Sequence, residues 1–546
     1  MESVIEVQRD ALPLPESFVG KIAVDSQNSR IFVEKRHASD PLLLTWVYKN
    51  KQNGKELEVV VTEIDEIQNL ISNGLGAKVA VESDQKVREQ ALSIIRAAAR
   101  YNANNIHMMM RGTHTEIQFT IKGSNRVYMK LSQDEGERVT RAIYQGIAQV
   151  RDASWEQRER QNAMITATPE MFSSELGLIS VRIVRGPAHP VNEGGAFMTM
   201  RLQYVSGSRH NRKDSLPPLP MPKRPDGELN LAKMGFSLKQ IGKLRMLLSA
   251  PNGMVIFTGP TGQGKTTTLV ELLTELARLR PDCRQVTVED PTEYDMPWAV
   301  RQVITNAKTE IETGIAYLDM VRTALRMEPH VFFLGELRGV EVTLAAIHAV
   351  LSGHQVWTTT HAIDPFLVPD RLEVMDQQKL HRSVFCDAKI IRGIVSQRLL
   401  PKLCGKCSCL LSDDPDALED RVVNALRTWG DISKVRVRGK DPHCSECGGD
   451  GAVSQFAIAE VVITDDKLMS DFVKLGSGEA RTNYYQRRDD ADPSMYESAV
   501  MHCLAGTIDP SDVEKTVDWI MPRIHPTSAV KEELISLVGG ESRHVA

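Results

Sequence analysis

A multidomain α/β chain built around a parallel sheet is the fold class this sequence predicts, and three observations carry it. The apolar run GMVIF at 253–257 feeds directly into the glycine-rich stretch GPTGQGKT at 259–266, after which 267–279 reads as a helix. Two further β-type runs, RQVTV at 284–288 and HVFFL at 330–334, each end in acidic residues and alternate with helix-length segments, the pattern of parallel strands joined by crossovers. The chain is 546 residues long, room for about three to four domains.

Composition narrows the class. Hydrophobic residues are 42% and charged residues 25%, enough apolar material for real cores and no global signature of disorder. Lys and Arg total 66 against 71 Asp and Glu, a net charge of −5, which argues against a surface coated for nucleic acid; no stable nucleic-acid partner is expected. No apolar run reaches the roughly 18 residues that cross a bilayer, and the start at 1–17 interrupts its hydrophobics with Glu, Arg, Asp and Pro. A cytoplasmic protein with neither signal peptide nor membrane span is expected.

The elements follow in order. Residues 1–82 mix short β-type runs with a helix: LEVVVT at 57–62 is Val-rich, and Thr62 with Asp65 resembles a capping box ahead of Ile64, Ile67 and Ile71 at helical spacing. Residues 83–205 open with a helix carrying Leu92, Ile95 and Ala99 on one face. Strand-like runs at 105–111 and 115–122, a helix at 138–150 and strands at 178–184 and 196–204 complete a smaller α+β, PAS-like domain. Residues 206–228 hold five Pro with Ser, Gly and several basic residues, the composition of a linker whose charge run is a solvated tether. A phosphate-loop domain is expected at 229–400, a tetracysteine module at 401–450 and a mostly helical region at 451–546.

The glycine-rich stretch has the form GxxxxGK[ST] between strand and helix, the context that gives this motif its meaning. Gly259, Gly262 and Gly264 let backbone N–H groups close around an anion, with Pro260, Thr261, Gln263 and Thr267 completing the loop, and the helix N-terminus adds its positive dipole end. Lys265 is expected on the β- and γ-phosphates and the Thr266 hydroxyl on Mg²⁺. A nucleotide site also needs carboxylates at neighbouring strand ends; 289–293 (EDPTE) and Glu336 hold those places. His354 and His361 flank the run 355–360, and spacing alone leaves a packing role open for both.

Two CxxC knuckles, Cys404 with Cys407 and Cys444 with Cys447, stand 36 residues apart. Two thiolate pairs supply S₄ coordination for a structural Zn²⁺, with a redox dithiol as the alternative and Cys409 and His443 as substitute ligands. Between them Leu418, Val422, Leu426 and Trp429 keep helical spacing, and Gly430 can end that helix.

The segments 229–269, VTVEDPTEY (286–294), LGELRG (334–339), SGHQVWTTTH (352–361) and GIVSQRLLPKLCGKC (393–407) resemble the secretion ATPases of type II secretion and type IV pilus assembly, over about residues 90–460. The resemblance implies a RecA-like fold and Mg²⁺-dependent ATP hydrolysis in a homohexameric ring. Its partner is an inner-membrane platform protein, and its work is assembly of a pilus or secretion pseudopilus. It makes Glu293 the residue that orients the attacking water, Glu336 the Walker B carboxylate, and His354 with His361 a pair reporting on the γ-phosphate. Arg182 and Arg201 match arginines that close over nucleotide between domains or subunits; the other reading is that they cap a solvated sheet edge.

Gln263, Gly339 and His330 depart from the family's usual Ser, Asp and Asp, and Asn105 and Lys122 from its Asp. None of the first three removes a phosphate or magnesium ligand. The tetracysteine pattern resembles the assembly branch rather than the retraction branch. A nucleic-acid translocating or conjugation-related motor and a zinc-bearing scaffold that binds ATP without turnover are the rival readings.

Overall fold

The computed structural model describes residues 18, 21–25, 28–35, 37–52, 56–70, 81–206, 216–304 and 309–523. The expectations for the start at 1–17, for Ile71, for the linker's 207–215 and for 524–546 lie outside the described residues. The chain divides into two compact units, residues 1–97 with 138–148 and residues 98–137 with 149–546.

In the first unit, β1 (Ile22–Asp25), β2 (Arg30–Val33) and β3 (Glu58–Val61) form a sheet in that order. β1 is antiparallel to β2, whereas β3 is parallel to it, a return that needs a crossover; the helix Pro41–Gln52 provides it. Phe18, Ile22, Ile31, Val33, Leu43 and Trp46 bury together. The helix Ile64–Leu70 forms as its spacing predicts, but the Thr62 hydroxyl bonds Glu66 rather than Asp65.

The helix expected at 138–150 begins earlier and ends sooner: Gln133–Arg141 is α-helical, Ala142–Ile147 continues as a π-helix, and Val150 is already in a strand. The start is set by Ser132 and Glu135, which form a reciprocal cap. The Glu135 N–H donates to Ser132 Oγ at 3.3 Å and the Ser132 N–H to Glu135 Oε2 at 3.1 Å.

The second unit holds two large sheets. β4 (Asn105–Met110), β5 (His114–Ile121), β6 (Ser124–Ser132), β7 (Val150–Arg151), β8 (Gln161–Thr166), β9 (Leu178–Pro187) and β10 (Ala196–Tyr204) pair antiparallel in the order β6-β5-β4-β10-β9-β8-β7. The described part of the linker lies along this sheet's edge rather than in open solvent: Val127 N donates to the Pro220 carbonyl at 2.9 Å, and Tyr101 Oη to that of Pro217 at 3.0 Å.

The other sheet runs β13-β12-β14-β15-β11-β16-β19, made of β11 (Gly253–Thr258), β12 (Gln285–Glu289), β13 (Val300–Val303), β14 (Val331–Leu334), β15 (Gln355–Thr360), β16 (Ile391–Leu403) and β19 (Ala452–Ile463). All are parallel except β19, which returns antiparallel on β16. Residues 451–546 therefore open with a strand of the main sheet before their helices begin. Helices cover both faces, which is why β11 is buried at every position. Met254 and Ile256 join a core with the helices Glu310–Leu325 and Val340–Leu351, while Val255 and Phe257 join one with Leu238–Leu248 and Lys265–Leu279.

The segment between the CxxC pairs adds the two-residue ladder of β17 (Cys409–Leu410) and β18 (Arg436–Val437) and the helix Asp420–Trp429, ended at Gly430 as its spacing predicts. It is not a free appendage. Leu411, Val422, Leu426 and Trp429 share a core with Met495, Val500, Leu504 and Ile520 of the C-terminal region.

Candidate functional site

The parallel strands β11, β12, β14 and β15 end on one side, and the loops leaving them enclose a cleft of about 540 Å³. Gly262 and Gly264 hold φ of 77° and 71°, the left-handed region, so a side chain at either is strained. Gly259, at φ 141°, also lies so close to β16 that an added Cβ would stand 2.5 Å from the Gln397 carbonyl. Gly264 caps the helix Lys265–Leu279, whose first turn therefore faces the cleft.

Lys265 is buried, with Nζ donating to the carbonyls of Gly259 and Pro260 at 2.8 Å each. Burial lowers its pKa from the usual lysine value, with the Glu336 charge opposing. Among the described residues this ammonium hydrogen-bonds two neutral carbonyls and no carboxylate, a charge that an arriving phosphate would compensate better. Gln263 is tied down through both ends: its side-chain oxygen accepts from Leu399 N and its carbonyl from Gln397 Nε2, both at 2.7 Å. Gln397 Oε1 in turn accepts from the Thr268 hydroxyl at 2.9 Å.

Glu336 follows β14 and is held from two sides, by His361 Nε2 at 3.0 Å and Arg338 Nε at 2.8 Å; His361 Nδ1 lies 3.2 Å from the Gly259 carbonyl. Glu336 is thereby joined to the phosphate loop through one imidazole. Glu293 lines the same cleft and is exposed, whereas Glu289, at the end of β12, is buried. Burial raises the Glu289 pKa, offset by the Thr287 hydroxyl at 2.5 Å and by Arg301 at 3.5 Å. Thr261, Thr266 and Thr267 also line the cleft, and Thr267 bonds Tyr294.

Three sequence-predicted residues are not brought here. His354 precedes β15 and His361 follows it, so six residues of strand, about 20 Å at the strand rise, separate them. His354 packs edge-on against Phe332 with its ring centroid 5.4 Å away, Nδ1 lies 3.0 Å from the Ala349 carbonyl, and burial lowers its pKa. Arg182 and Arg201 are direct cross-strand partners of β9 and β10, both exposed and neither on the wall of the cleft. Conversely, Arg338, Tyr294, Tyr317, Gln397 and Leu399 were not singled out from the sequence. Arg338 and Tyr294 lie within motifs whose acids drew the attention, while Gln397 and Leu399 lie within the family-like segment 393–407, whose cysteines drew it.

The second centre is the tetracysteine group. Cys404, Cys407, Cys444 and Cys447 place their Sγ atoms within 4.8 Å of one another, with Cys404 to Cys444 at 3.8 Å and Cys407 to Cys447 at 3.6 Å. Zn–S bonds of about 2.3 Å in a tetrahedron set sulfur atoms about 3.8 Å apart, so the donor set fits Zn²⁺. The four thiols titrate together: the backbone N–H groups of Cys447 and Glu446 bring Cys444 down to about 7, while burial and hydrogen bonds from the other three cysteines push Cys407 up to about 12. Cys409, in β17, and His443 stand outside the group.

The family profile described as "Type II/IV secretion system protein" matches residues 221–515, more than half of the chain and all of this site. The chain belongs to that family. It is similar to the "Type IV pilus assembly ATPase PilB" of Thermus thermophilus, at 26% identity over 71% of this chain and 38% of that protein. It is also similar to the "Type II secretion system protein HxcR" of Pseudomonas aeruginosa, at 26% identity over 64% of each, so this chain spans less than two thirds of either relative. A longer match, to "Type II secretion system protein E" of the same organism, covers 91% of this chain and 88% of that protein at 24% identity.

Proposed function

We propose that this secretion-family chain is an ATP-hydrolysing motor. One observation carries the reading: the Lys265 loop, Glu336 and Glu293 face a single cleft at the strand ends, with His361 bridging loop and acid. The arrangement of β11, β14 and β15 supports a RecA-like core, with the smaller α+β domain, PAS-like in this reading, preceding it. When ATP enters, Lys265 exchanges the Gly259 and Pro260 carbonyls for phosphate oxygens, and the left-handed glycines present their N–H groups. Thr266 and Glu336 would hold Mg²⁺, which neutralises charge developing on the transferred phosphoryl. Glu293 orients the attacking water from the open side. His361, sensitive to Glu336 and to the Gly259 carbonyl together, passes the state of the site to the end of β15. His354 takes a packing role.

In this reading the chain works as a homohexamer at the cytoplasmic face of an inner membrane, docked on a platform protein, and assembles a type IV pilus or secretion pseudopilus. No described helix is long and apolar enough to cross a membrane, which suits a motor that reaches the membrane through partners. Arg182 and Arg201, exposed and off the cleft, are then supplied to a neighbouring copy's nucleotide. The tetracysteine group holds one structural zinc.

The test is phosphate release from Mg-ATP by the purified chain, with its oligomeric state measured alongside. Wild type is expected to turn over as a ring, and Glu336→Gln to bind nucleotide without release. Failure of wild type to release phosphate in any oligomeric state would overturn the motor, and stimulation by single-stranded nucleic acid would move it to the translocase reading.

A further inference from the structure

A second cleft, of about 740 Å³, lies in the same compact unit, between the antiparallel sheet, the linker and the N-terminal ends of β12 and β13. It is not the nucleotide cleft: the two share no lining residue. The wall carries an excess of fixed positive charge, six Arg and Lys against four Asp and Glu. The acids are largely spoken for. Glu116 faces Lys130 at 3.2 Å, Asp226 faces Lys223 at 3.7 Å and Asp295 faces Arg301 at 3.5 Å, while Glu193 stands beside His189.

Two of the arginines, the buried Arg284 and the half-buried Arg111, make no direct ion pair among the described residues, although the Glu116, Glu328 and Asp295 carboxylates act on them at longer range. Arg284 is 5% exposed; it donates to Gln118 Oε1 at 3.1 Å, Asn125 Oδ1 at 3.4 Å and Met109 Sδ at 3.5 Å, and its Nε has no partner among the described residues. Arg111 donates to the Ala299 carbonyl at 2.6 Å and Met109 Sδ at 3.2 Å. Every one of these acceptors is neutral. Burial, then the neighbouring Arg111 charge, brings Arg284 down to about 9, with the Glu328 and Glu116 carboxylates only partly opposing, the direction expected of a desolvated cation with no acid in direct contact. A desolvated guanidinium with only neutral acceptors is costly, and an anion of matching geometry recovers that cost. Apolar and aromatic surface from Trp298, Met296 and Pro297 lines the same wall.

We propose that this cleft is a second ligand site, taking a phosphate-bearing organic anion of nucleotide size on Arg111, Arg284 and Arg224. The phosphate sits on the guanidinium groups, and the organic part lies on Trp298 and the linker prolines. Arg301 belongs to this wall and also pairs with Glu289 of the nucleotide cleft at 3.5 Å, so one ion pair joins the two sites. The linker's Lys223 and Arg224 thereby form part of a binding wall rather than a tether.

The test uses inorganic pyrophosphate as probe, titrated calorimetrically into the full chain with the nucleotide cleft saturated by Mg-ADP. One site per chain is expected, weakened about tenfold or more in Arg284→Gln, the scale of a lost charge-assisted hydrogen bond. Because Arg284 is buried and its variant can fail to fold, the exposed Arg224→Glu gives a second reading, expected to weaken the probe about threefold or more. Lys265→Ala is expected to leave this binding unchanged, which separates the site from the phosphate loop. Absence of binding to the ADP-saturated chain, loss of binding in Lys265→Ala, or unchanged binding in folded Arg284→Gln and Arg224→Glu would each overturn the proposal.

Discussion

Gln397 carries the sharpest test of how the phosphate loop keeps its shape, because it is fully buried on β16 and its side chain hydrogen-bonds the loop directly. Gln397→Ala removes two of them: Nε2 to the Gln263 carbonyl at 2.7 Å, and the Thr268 hydroxyl to Oε1 at 2.9 Å. The two losses are unequal. Thr268 Oγ also lies 3.2 Å from the Gly264 carbonyl, so its single proton has a substitute acceptor. The Gln263 carbonyl has no substitute donor among the described protein groups. With a net worth of about 1 kcal/mol per hydrogen bond, the change removes about 1 to 2 kcal/mol from the ordered loop. The Leu399 N–H to Gln263 Oε1 bond at 2.7 Å survives, so the loop loosens without detaching. If nucleotide must then restore the order, its Kd rises about 5- to 30-fold at about 1.4 kcal/mol per decade. Fluorescence titration with a labelled ADP measures this directly, with circular dichroism as the control for folding. A Kd within about twofold of wild type, in a folded variant, would refute the claim that Gln397 orders the loop, since even one lost bond predicts more.

Three other outcomes are expected. Lys265→Ala abolishes phosphate release while the far-ultraviolet spectrum is kept, because Lys265 bonds only its own loop's carbonyls; wholesale loss of helix signal would make it a folding element instead. Cys404→Ser with Cys407→Ser releases about one zinc per chain, read by native mass spectrometry, and lowers the melting temperature, since the module shares its core with the helix Met495–Leu504; unchanged metal content rules out these ligands. Burial holds His502 neutral by lowering its pKa to about 4, whereas the unfolded chain protonates near 6.5. The unfolded state binds more protons in between, so this contribution is fully present above pH 6.5 and is lost as pH falls toward 4. Melting temperatures across that window should fall less steeply for His502→Phe than for wild type, and identical slopes would assign the acid sensitivity elsewhere.

What the sequence made legible follows from what each function requires of contiguous chain. A phosphate loop needs two glycines, a lysine and a hydroxyl within eight residues between a strand and a helix, so its chemistry is written locally and the structure places it at the strand end. Two CxxC pairs are equally local, and only their convergence across 36 residues had to come from the fold. Local reading failed where function depends on direction or on long-range adjacency. His354 and His361 are neighbours in a motif, but a strand reverses nothing along its length, so flanking it at both ends puts one residue at the cleft and the other far from it. Gln397 lies 134 residues from Gln263 and reaches it because β16 is laid beside β11, a pairing that no periodicity near either residue announces. The helix start at Ser132 was a different failure: the sequence SQDE at 132–135 carries the Ser and Glu of a reciprocal cap, a local signal that places the start six residues before 138. The second cleft combines both limits. Arg111, Arg224 and Arg284 come from a strand end, a linker and the foot of another strand, and taken singly each reads as an ordinary surface charge. Only their meeting around one wall, with three of its four carboxylates already paired to other cations of that wall, turns three unremarked arginines into a place where an anion is wanted.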